Sequence, residues 1–174
     1  SISTYDNSSV IITKEGRVFG IGDNSLYKIH SSLPQKEIET WTEIIILNSE
    51  SNPYKFISAV CGSDYTTYHL YDEKEGHKIC LATQRLKSQI LNIGEIHPIA
   101  LYGGEKKSAI IDVNGSIILI SSAYIKQNFH RRFYLPDGAK PIKIACGSLV
   151  IYALGNNRNI YYFDGFGDHF NLYD

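Results

Sequence analysis

Short apolar segments alternate with turn residues along the whole chain. Four of these segments are rich in β-branched and aromatic residues and are too short for helices, so each is predicted to be a strand. They cover residues 9–13, 67–71, 108–112 and 149–154. Turn residues follow every one of them, and Asn114-Gly115 is the strongest hairpin signal because both residues accept a positive φ. The pattern predicts an all-β fold.

A second set of segments precedes these strands. Three of them begin with isoleucine and end at a small-residue corner, and they cover residues 57–62, 99–104 and 142–147. Their final glycines, Gly62, Gly104 and Gly147, lie 42 and 43 residues apart. The first copy, residues 2–7, has Asn7 at this position, and asparagine is the residue that next best tolerates a left-handed backbone. The regular spacing predicts an internal repeat.

The ending of the first copy returns near the end of the chain. Residues 18–27 and residues 163–173 each pass from an apolar strand into Gly-x-Gly-Asp and then reach a Leu-Tyr pair. Glycines supply backbone angles that other residues avoid. The pairs Leu26-Tyr27 and Leu172-Tyr173 are expected to be the apolar anchors of the two endings.

Each repeat has room for four strands. Third strands are predicted over residues 18–21, 78–82, 117–120 and 160–163. The connections add the apolar run 44–47 and residues 131–135, which end like a strand, as fourth strands. Four strands at a period in the forties are typical of one propeller blade. The predicted repeats are residues 1–54, 55–96, 97–139 and 140–174, the last of them incomplete.

The corner, the apolar strand, the Asn-Gly-type turn, the Val-Phe or Ile-Tyr strand and the Gly-x-Asn/Asp ending together resemble the repeat of the regulator of chromosome condensation family. The resemblance covers essentially the whole chain, and its best matches are Cys61-Gly62, Gly103-Gly104, Cys146-Gly147, Gly22-Asp23-Asn24 and Gly167-Asp168. The second and third copies depart from it, since residues 81–83 and 119–121 replace the Gly-x-Gly-Asp ending.

This resemblance implies a β-propeller, usually of seven blades, of which the chain supplies a segment of about four. In that family the fold serves as a nucleotide-exchange factor on a small GTPase, as a chromatin reader or as a protein-docking surface. The resemblance therefore implies a protein partner, and no catalytic motif in the sequence selects among the three roles.

Composition removes several classes of function. The net charge of −1 provides no overall attraction to nucleic acid or to a membrane surface. The sequence has no run of about 18 apolar residues and no signal-peptide pattern, so the cytosol or the nucleus is the expected compartment. Cys61, Cys80 and Cys146 are odd in number and lack C-x-x-C spacing, so they are predicted to be buried free thiols.

Several motifs suggest chemistry, and each has a structural alternative. Residues 20–25 begin like a dinucleotide fingerprint, but the third glycine and the following helix are missing. Asp72, Glu73 and Glu75 lie in a predicted turn, where no desolvation raises a carboxyl pKa. The six histidines share no metal-ligand spacing. We therefore predict no catalytic residue, no metal and no cofactor.

The densest basic patch lies at Phe129, His130, Arg131 and Arg132. Aromatic side chains among cations suit a partner contact, and an exposed strand edge is the structural alternative. The cations are too few for strong phosphate binding, so a protein partner is favoured over nucleic acid.

We expect the chain to be a non-catalytic protein-docking or architectural module within a larger protein or assembly, with an exchange factor for a small GTPase as the alternative. Open blade edges, at residues 2–12 and after Phe163, are expected to be completed by further repeats or by another chain.

Overall fold

The computed structural model describes residues 1–33, 35–83, 88–121, 130–165 and 168–173. These residues form four antiparallel sheets of four strands each and one short 3-10 turn at Pro136–Gly138. The all-β prediction is confirmed. In the described ranges no helix has the length and apolar character needed to span a bilayer.

The chain divides into two compact units, residues 1–95 and residues 96–174, and each contains two sheets. In the first unit, one sheet has the order β1 (Ile2–Tyr5), β2 (Ser8–Ile12), β3 (Val18–Asp23) and β4 (Glu37–Ile44). The second sheet has the order β5 (Lys55–Cys61), β6 (Tyr65–Asp72), β7 (Gly76–Thr83) and β8 (Gln89–Ile90).

The second unit repeats this plan. Its first sheet contains β9 (Pro98–Gly103), β10 (Lys107–Asp112), β11 (Ile117–Ser121) and β12 (His130–Phe133), with β9 and β12 at the edges. Its second sheet has the order β13 (Pro141–Cys146), β14 (Ile151–Gly155), β15 (Ile160–Phe163) and β16 (Asn171–Leu172).

Each unit has a core that joins its two sheets. In the first unit, Val10 and Val18 of the first sheet belong to the same buried cluster as Tyr68 and Leu70 of the second. In the second unit, residues of β10 and β11 are buried with residues of β14 and β15 in the cluster Ala109, Ile111, Ile117, Leu119, Ile151, Ala153, Tyr161 and Phe163. Within each unit, the two sheets thus bury the apolar side chains of their facing surfaces between them.

Two local predictions need correction at the turns. In the Asn114-Gly115 turn only Gly115 has a positive φ, of 78°, while the Asn114 side chain donates to the Asp112 carboxylate at 3.0 Å. In the first copy the left-handed residue is Asp6, with φ 50°, and not Asn7. The turns therefore lie where the turn residues predict them, but the positive φ falls on different members of each motif.

The corner glycines are required for space. Gly62, Gly104 and Gly147 do not have a positive φ. A Cβ at Gly104 would collide with the Cys146 carbonyl oxygen of the neighbouring sheet, and one at Gly147 would lie 2.9 Å from the Val150 carbonyl oxygen. The repeated glycine thus marks a close approach, to backbone atoms at Gly104 and Gly147 and to the Tyr65 ring at Gly62.

The predicted Leu-Tyr anchors of the two endings are wrong. Leu26 and Tyr27 are only partly buried, and Leu172 and Tyr173 are 48% and 56% exposed. The buried anchors are Ile29 and Phe170, each with 0% exposure. The fourth strand of the first sheet also ends earlier than expected, at Ile44, which leaves Ile45 and Leu47 exposed.

Candidate functional site

The predicted basic patch lies on β12, at the edge of the first sheet of the second unit. His130, Arg131 and Arg132 follow one another on this strand, and Phe129 lies outside the described residues. Burial lowers the pKa of His130, and the neighbouring Arg132 lowers it further. The strand is an edge, as the structural alternative for this patch proposed.

Arg131 forms an ion pair with Asp168 and lies over the ring of Phe133, 5.1 Å from the ring centroid. The side chain of Asp168 is 95% exposed, so this pair lies at the surface. Arg131 therefore links β12 to the ending of the neighbouring sheet, and a partner that used its charge would compete with Asp168.

Arg132 lies 3.9 Å from the carboxylate of Asp112, whose side chain is fully buried. Asp112 also accepts the backbone N–H of His97 at 2.6 Å and the amide of Asn114 at 3.0 Å. A buried carboxylate needs such donors and a nearby cation, because its desolvation is otherwise costly. Both arginines of the patch thus have carboxylate neighbours within their own unit.

A different surface feature recurs in three sheets. The pairing register of β5 with β6 shifts between Phe56 and Ser58, so Ile57 has no Cα partner. The same one-residue shift leaves Ile99 without a Cα partner between Pro98 and Ala100, and Ile142 without one between Pro141 and Lys143. These three residues are the extra residues of β-bulges, which bend a strand and redirect a side chain.

The three bulge isoleucines are exposed to solvent. Ile57 is 45% exposed, Ile99 is 66% exposed and Ile142 is 56% exposed. β5, β9 and β13 are edge strands of their sheets, so neither the bulge nor its side chain is covered by a further strand of the same sheet. The sequence showed these isoleucines at the 42- and 43-residue spacing, but it predicted them only as the first residues of strands.

The described ranges contain no metal-binding cluster, and their cysteines are protonated thiols. No group of three or more His, Cys, Asp or Glu in these ranges could hold a metal ion. Burial raises the pKa of Cys80 and of Cys146 to about 12 and also raises that of Cys61, so the thiolate forms are disfavoured. All three thiols are free; Cys61 and Cys80 are buried as predicted, whereas Cys146 is only partly buried.

The segment that begins like a dinucleotide fingerprint uses its own amide donors. The N–H of Asp23 donates to Asn7 O at 2.9 Å, and that of Asn24 donates to Lys36 O at 2.7 Å. The N–H of Ser25 donates to the Asp23 carboxylate at 2.8 Å. These donors are therefore already occupied within the chain, and the segment leads into turns instead of a helix.

Asn24 makes five side-chain hydrogen bonds to backbone and is 1% exposed. Its Nδ2 donates to the carbonyl oxygens of His30, Leu33 and Gln35, at 3.2, 2.9 and 3.2 Å. Its Oδ1 accepts the N–H groups of Ile29 and His30, at 3.0 and 3.2 Å. One side chain thus fixes the connection that follows the first Gly-x-Gly-Asp ending.

Several solved structures are similar to this chain in the arrangement of their strands. The human protein WBSCR16 superimposes with a TM-score of 0.70 at 13% identity, over 99% of this chain and 51% of that protein. Prp20p from Saccharomyces cerevisiae gives a TM-score of 0.68 at 15% identity, over 93% of this chain and 42% of that protein. The structure of yeast RCC1 (Prp20) bound to Kap60 gives 0.66 at 14% identity, over 93% of this chain and 41% of that one.

These similarities show a propeller-repeat fold of the regulator of chromosome condensation type, as the sequence resemblance predicted. The chain spans about half of the WBSCR16 structure and about two fifths of the Prp20p structures. The yeast protein Prp20p is described as binding Gsp1p and histones, and its complex with Kap60 adds a third partner of that protein. No protein-family model and no curated protein matches the sequence.

Proposed function

We propose that the chain is a non-catalytic protein-docking module, and that the bulge isoleucines Ile99 and Ile142 are part of a docking surface on the second unit, with Ile57 at the equivalent position of the first unit. The observation that supports this is their exposure at equivalent bulges in three sheets. Single exposed apolar residues are ordinary, but large apolar residues at three equivalent exposed positions are a repeated feature. The cytosol or the nucleus remains the proposed compartment.

The bulges contribute to docking because they take the isoleucines out of the regular backbone pairing of their strands. A bulge residue does not take part in the regular pairing of its strand, so its side chain is available to a partner. Burial of one isoleucine side chain in an interface contributes about 1.5–3 kcal/mol, so the two such side chains of the second unit can anchor a contact. The partner that fits them is a protein surface with apolar pockets.

The test of this proposal is a pair of substitutions in the second unit, Ile99→Ser with Ile142→Ser. Because both side chains are largely exposed, we expect a change in the free energy of unfolding within about 0.5 kcal/mol. We expect the double variant to lose the protein neighbours that a photocrosslinker at the adjacent exposed position, Lys143, captures in cells when Ile99 and Ile142 are intact. The matched control is Val113→Ser, since Val113 is 58% exposed but lies outside the bulges.

An identical set of crosslinked proteins from the double variant, the control and the native protein would contradict the proposal. So would a melting temperature lowered by the double substitution alone, because that result would give the isoleucines a structural role.

The alternative function is nucleotide exchange on a small GTPase. It is favoured by the fold shared with Prp20p, whose study reports binding to Gsp1p. A nucleotide-release assay with a panel of small GTPases separates the two functions, because a docking module binds without accelerating release. We also propose that the open blade edges, at residues 2–12 and after Phe163, are completed by further repeats of the same protein or by another chain.

A further inference from the structure

A cleft of about 540 Å³ lies within the first unit. Its walls are residues 15–17 of the hairpin between β2 and β3, residues 43–45 at the end of β4, and Leu47 with residues 53–56 of the segment that leads into β5. The volume is in the range of pockets that bind ligands, about 300–1,000 Å³. We call it the Lys55 cleft.

The floor and the rim of the Lys55 cleft are apolar. Ile44, Tyr54 and Phe56 are at most 4% exposed and form the floor. Ile45 and Leu47 are 55% and 51% exposed and lie at the rim. A small ligand on the floor would leave the rim side chains in water, whereas a segment of protein can cover both. The apolar rim therefore favours a protein partner.

The exposure of the rim does not depend on the place of the first sheet in the chain. The hairpin glycines Gly16 and Gly115, with φ 82° and 78°, are equivalent in the first and third sheets. Counted from these glycines through the pairing of β3 with β4 and of β11 with β12, Ile45 corresponds to Tyr134. Tyr134 is 61% exposed in a sheet that has other sheets both before and after it in the chain. Side chains at this position are thus exposed in both units.

The outer wall of the cleft belongs to the first unit alone. Residues 45–54 connect its two sheets, and a bridge between Leu47 and Pro53 closes this connection into a loop. In the second unit the connection is shorter, residues 134–140, and it forms the 3-10 turn and buries Leu135. The loop therefore adds a surface to the first unit that the packing of the two sheets does not require.

Most charges at the cleft are compensated within the first sheet. Arg17 donates to both carboxylate oxygens of Glu43, at 2.7 Å each. A hydrogen bond from Thr13 lowers the pKa of Glu15, and the charge of Arg17 acts in the same direction. Arg17 thus interacts with both acidic residues of the lining.

Lys55 is the remaining charge. Its stem lies over Gly16, where a Cβ would collide with the Lys55 Cγ, so the lysine is held beside the hairpin. Lys55 is exposed, and it forms no ion pair with any residue of the described ranges. Lys140 lies over Gly115 in the same way but does not line the cleft. The cleft therefore combines an apolar floor with one ammonium that is available to a ligand.

We propose that the Lys55 cleft binds a short segment of a partner protein in which large apolar side chains lie next to a carboxylate side chain. The apolar side chains fill the floor and cover Ile45 and Leu47, and the carboxylate pairs with Lys55. A hydrogen bond between two charged groups is stronger than one between neutral groups. A basic segment would instead bring a like charge to Lys55, which disfavours it. This site goes beyond the proposed docking surface, because it lies in the first unit.

The experiment titrates the whole chain with a blocked peptide of the sequence Gly-Asp-Leu-Phe-Asp-Gly. Two related peptides carry Lys in place of both Asp residues, or Ser in place of Leu and Phe. NMR of isoleucine methyl groups reports where the peptide binds, because Ile44 and Ile45 line the cleft. We expect the acidic apolar peptide to bind at least tenfold more tightly than either relative and to shift the signals of Ile44 and Ile45.

Charge variants test the role of Lys55. Lys55→Glu should weaken binding of the acidic apolar peptide at least tenfold, and Lys55→Gln should weaken it less. Glu15→Gln should strengthen binding, because one carboxylate is removed from the lining. The matched control is Lys140→Glu, since Lys140 has the same place over the equivalent glycine but lies outside the cleft.

The double substitution Ile45→Ser with Leu47→Ser tests the apolar rim. It should weaken binding of the peptide at least fivefold while the melting temperature stays the same, because both side chains are largely exposed. The control is Tyr134→Ser, at the equivalent exposed position of the second unit.

Equal affinity for the acidic and basic peptides, or no measurable binding of the acidic one, would overturn the proposal. So would binding that leaves the signals of Ile44 and Ile45 unchanged, or unaltered binding to folded Lys55→Glu. Octanoate is the small-molecule probe: binding as tight as that of the peptide would assign the cleft to small amphipathic acids and would also overturn the proposal. Ile99 and Ile142 take no part in this site, so its failure leaves the proposed docking surface untouched, and the reverse also holds.

Discussion

The two Gly-x-Gly-Asp endings are the most similar stretches in the sequence, and the fold uses them differently. In the first ending the residue after the aspartate is Asn24, which is buried and holds five backbone groups. In the last ending it is His169, which is exposed. The first ending is thus stabilised by polar contacts inside one connection.

The last ending is stabilised by aromatic contacts. Phe170 lies 5.7 Å from Phe133 and 5.6 Å from Phe163, measured between ring centroids, and all three rings are buried. Both endings also contain an ion pair, but Asp23 pairs with the buried Lys28 at 2.9 Å, whereas Asp168 pairs with Arg131 at the surface. Similar letters therefore specify a similar path of the chain without specifying the interactions that stabilise it.

The largest expected effect separates Asn24 from His169. Asn24→Ala removes five hydrogen bonds and leaves buried carbonyl and N–H groups without a partner, which should lower the free energy of unfolding by about 4 kcal/mol. His169→Ala should change it by less than about 0.5 kcal/mol. Urea unfolding of both variants measures the difference, and equal midpoints would show that the two endings are equivalent after all.

In the last ending, stability should depend on the apolar residue Phe170. Phe170→Ala empties the centre of the aromatic cluster and should destabilise the second unit by about 3–4 kcal/mol. Leu172→Ala removes a side chain that is 48% exposed and should cost far less. Hydrogen exchange of β12 and β15 reports the local effect; faster exchange in the Leu172 variant than in the Phe170 variant would restore the Leu-Tyr anchor.

Acid should weaken the first ending through His30. Burial lowers the pKa of His30 to about 4, and its Nδ1 accepts the Ser32 N–H at 3.1 Å. Because the unfolded chain binds this proton more tightly, with a pKa near ~6.5, the stabilisation is complete above pH 6.5 and decreases as the pH falls toward 4. By pH 5 we expect a loss of about 2 kcal/mol.

His30→Gln is the control for this pH effect, because it removes the proton-linked group from the connection. Unfolding measured between pH 7 and pH 5 should show a shallower pH dependence in the variant. An unchanged slope would place the acid sensitivity elsewhere.

The ion pair of the first ending should contribute more to the free energy of unfolding than the ion pair of the last ending. This difference should be smaller than the one between Asn24 and His169. Asp23→Asn leaves the ammonium of Lys28 buried with the carbonyl of Ser63 at 3.5 Å, and we expect a loss of about 1–2 kcal/mol. Asp168→Asn breaks an exposed pair and should cost less than about 1 kcal/mol. Thermal unfolding at low and high salt distinguishes them, since only the exposed pair is strongly screened. A larger cost for Asp168→Asn would reverse the comparison.

Much of the fold could be predicted because its determinants are local. Short apolar strands, turn residues and the 42- and 43-residue spacing of Gly62, Gly104 and Gly147 indicate the repeat directly. The buried anchors Ile29 and Phe170 could not be found in this way, because they lie at different distances from the two Gly-x-Gly-Asp motifs. Their burial depends on partners in other strands, such as Phe133.

The candidate sites were less predictable for the same reason. The sequence shows Arg131 and Arg132 as a cationic pair, but their carboxylate neighbours Asp168 and Asp112 are brought close only by the sheets. The bulges depend on a one-residue change of register, which periodicity within a short strand does not reveal. The walls of the Lys55 cleft are separated along the chain and meet only through contacts such as that of the Phe56 N–H with Gly16 O.

The bulges also affect how the sequence can change over time. Ile57, Ile99 and Ile142 have no Cα partner and lie largely in solvent, so substitution there leaves the register of β5, β9 and β13 intact. In the proposed docking function, such positions separate recognition from folding. That function would let a lineage exchange these side chains one at a time and acquire a new partner while the sheets, and the stability that they provide, stay the same.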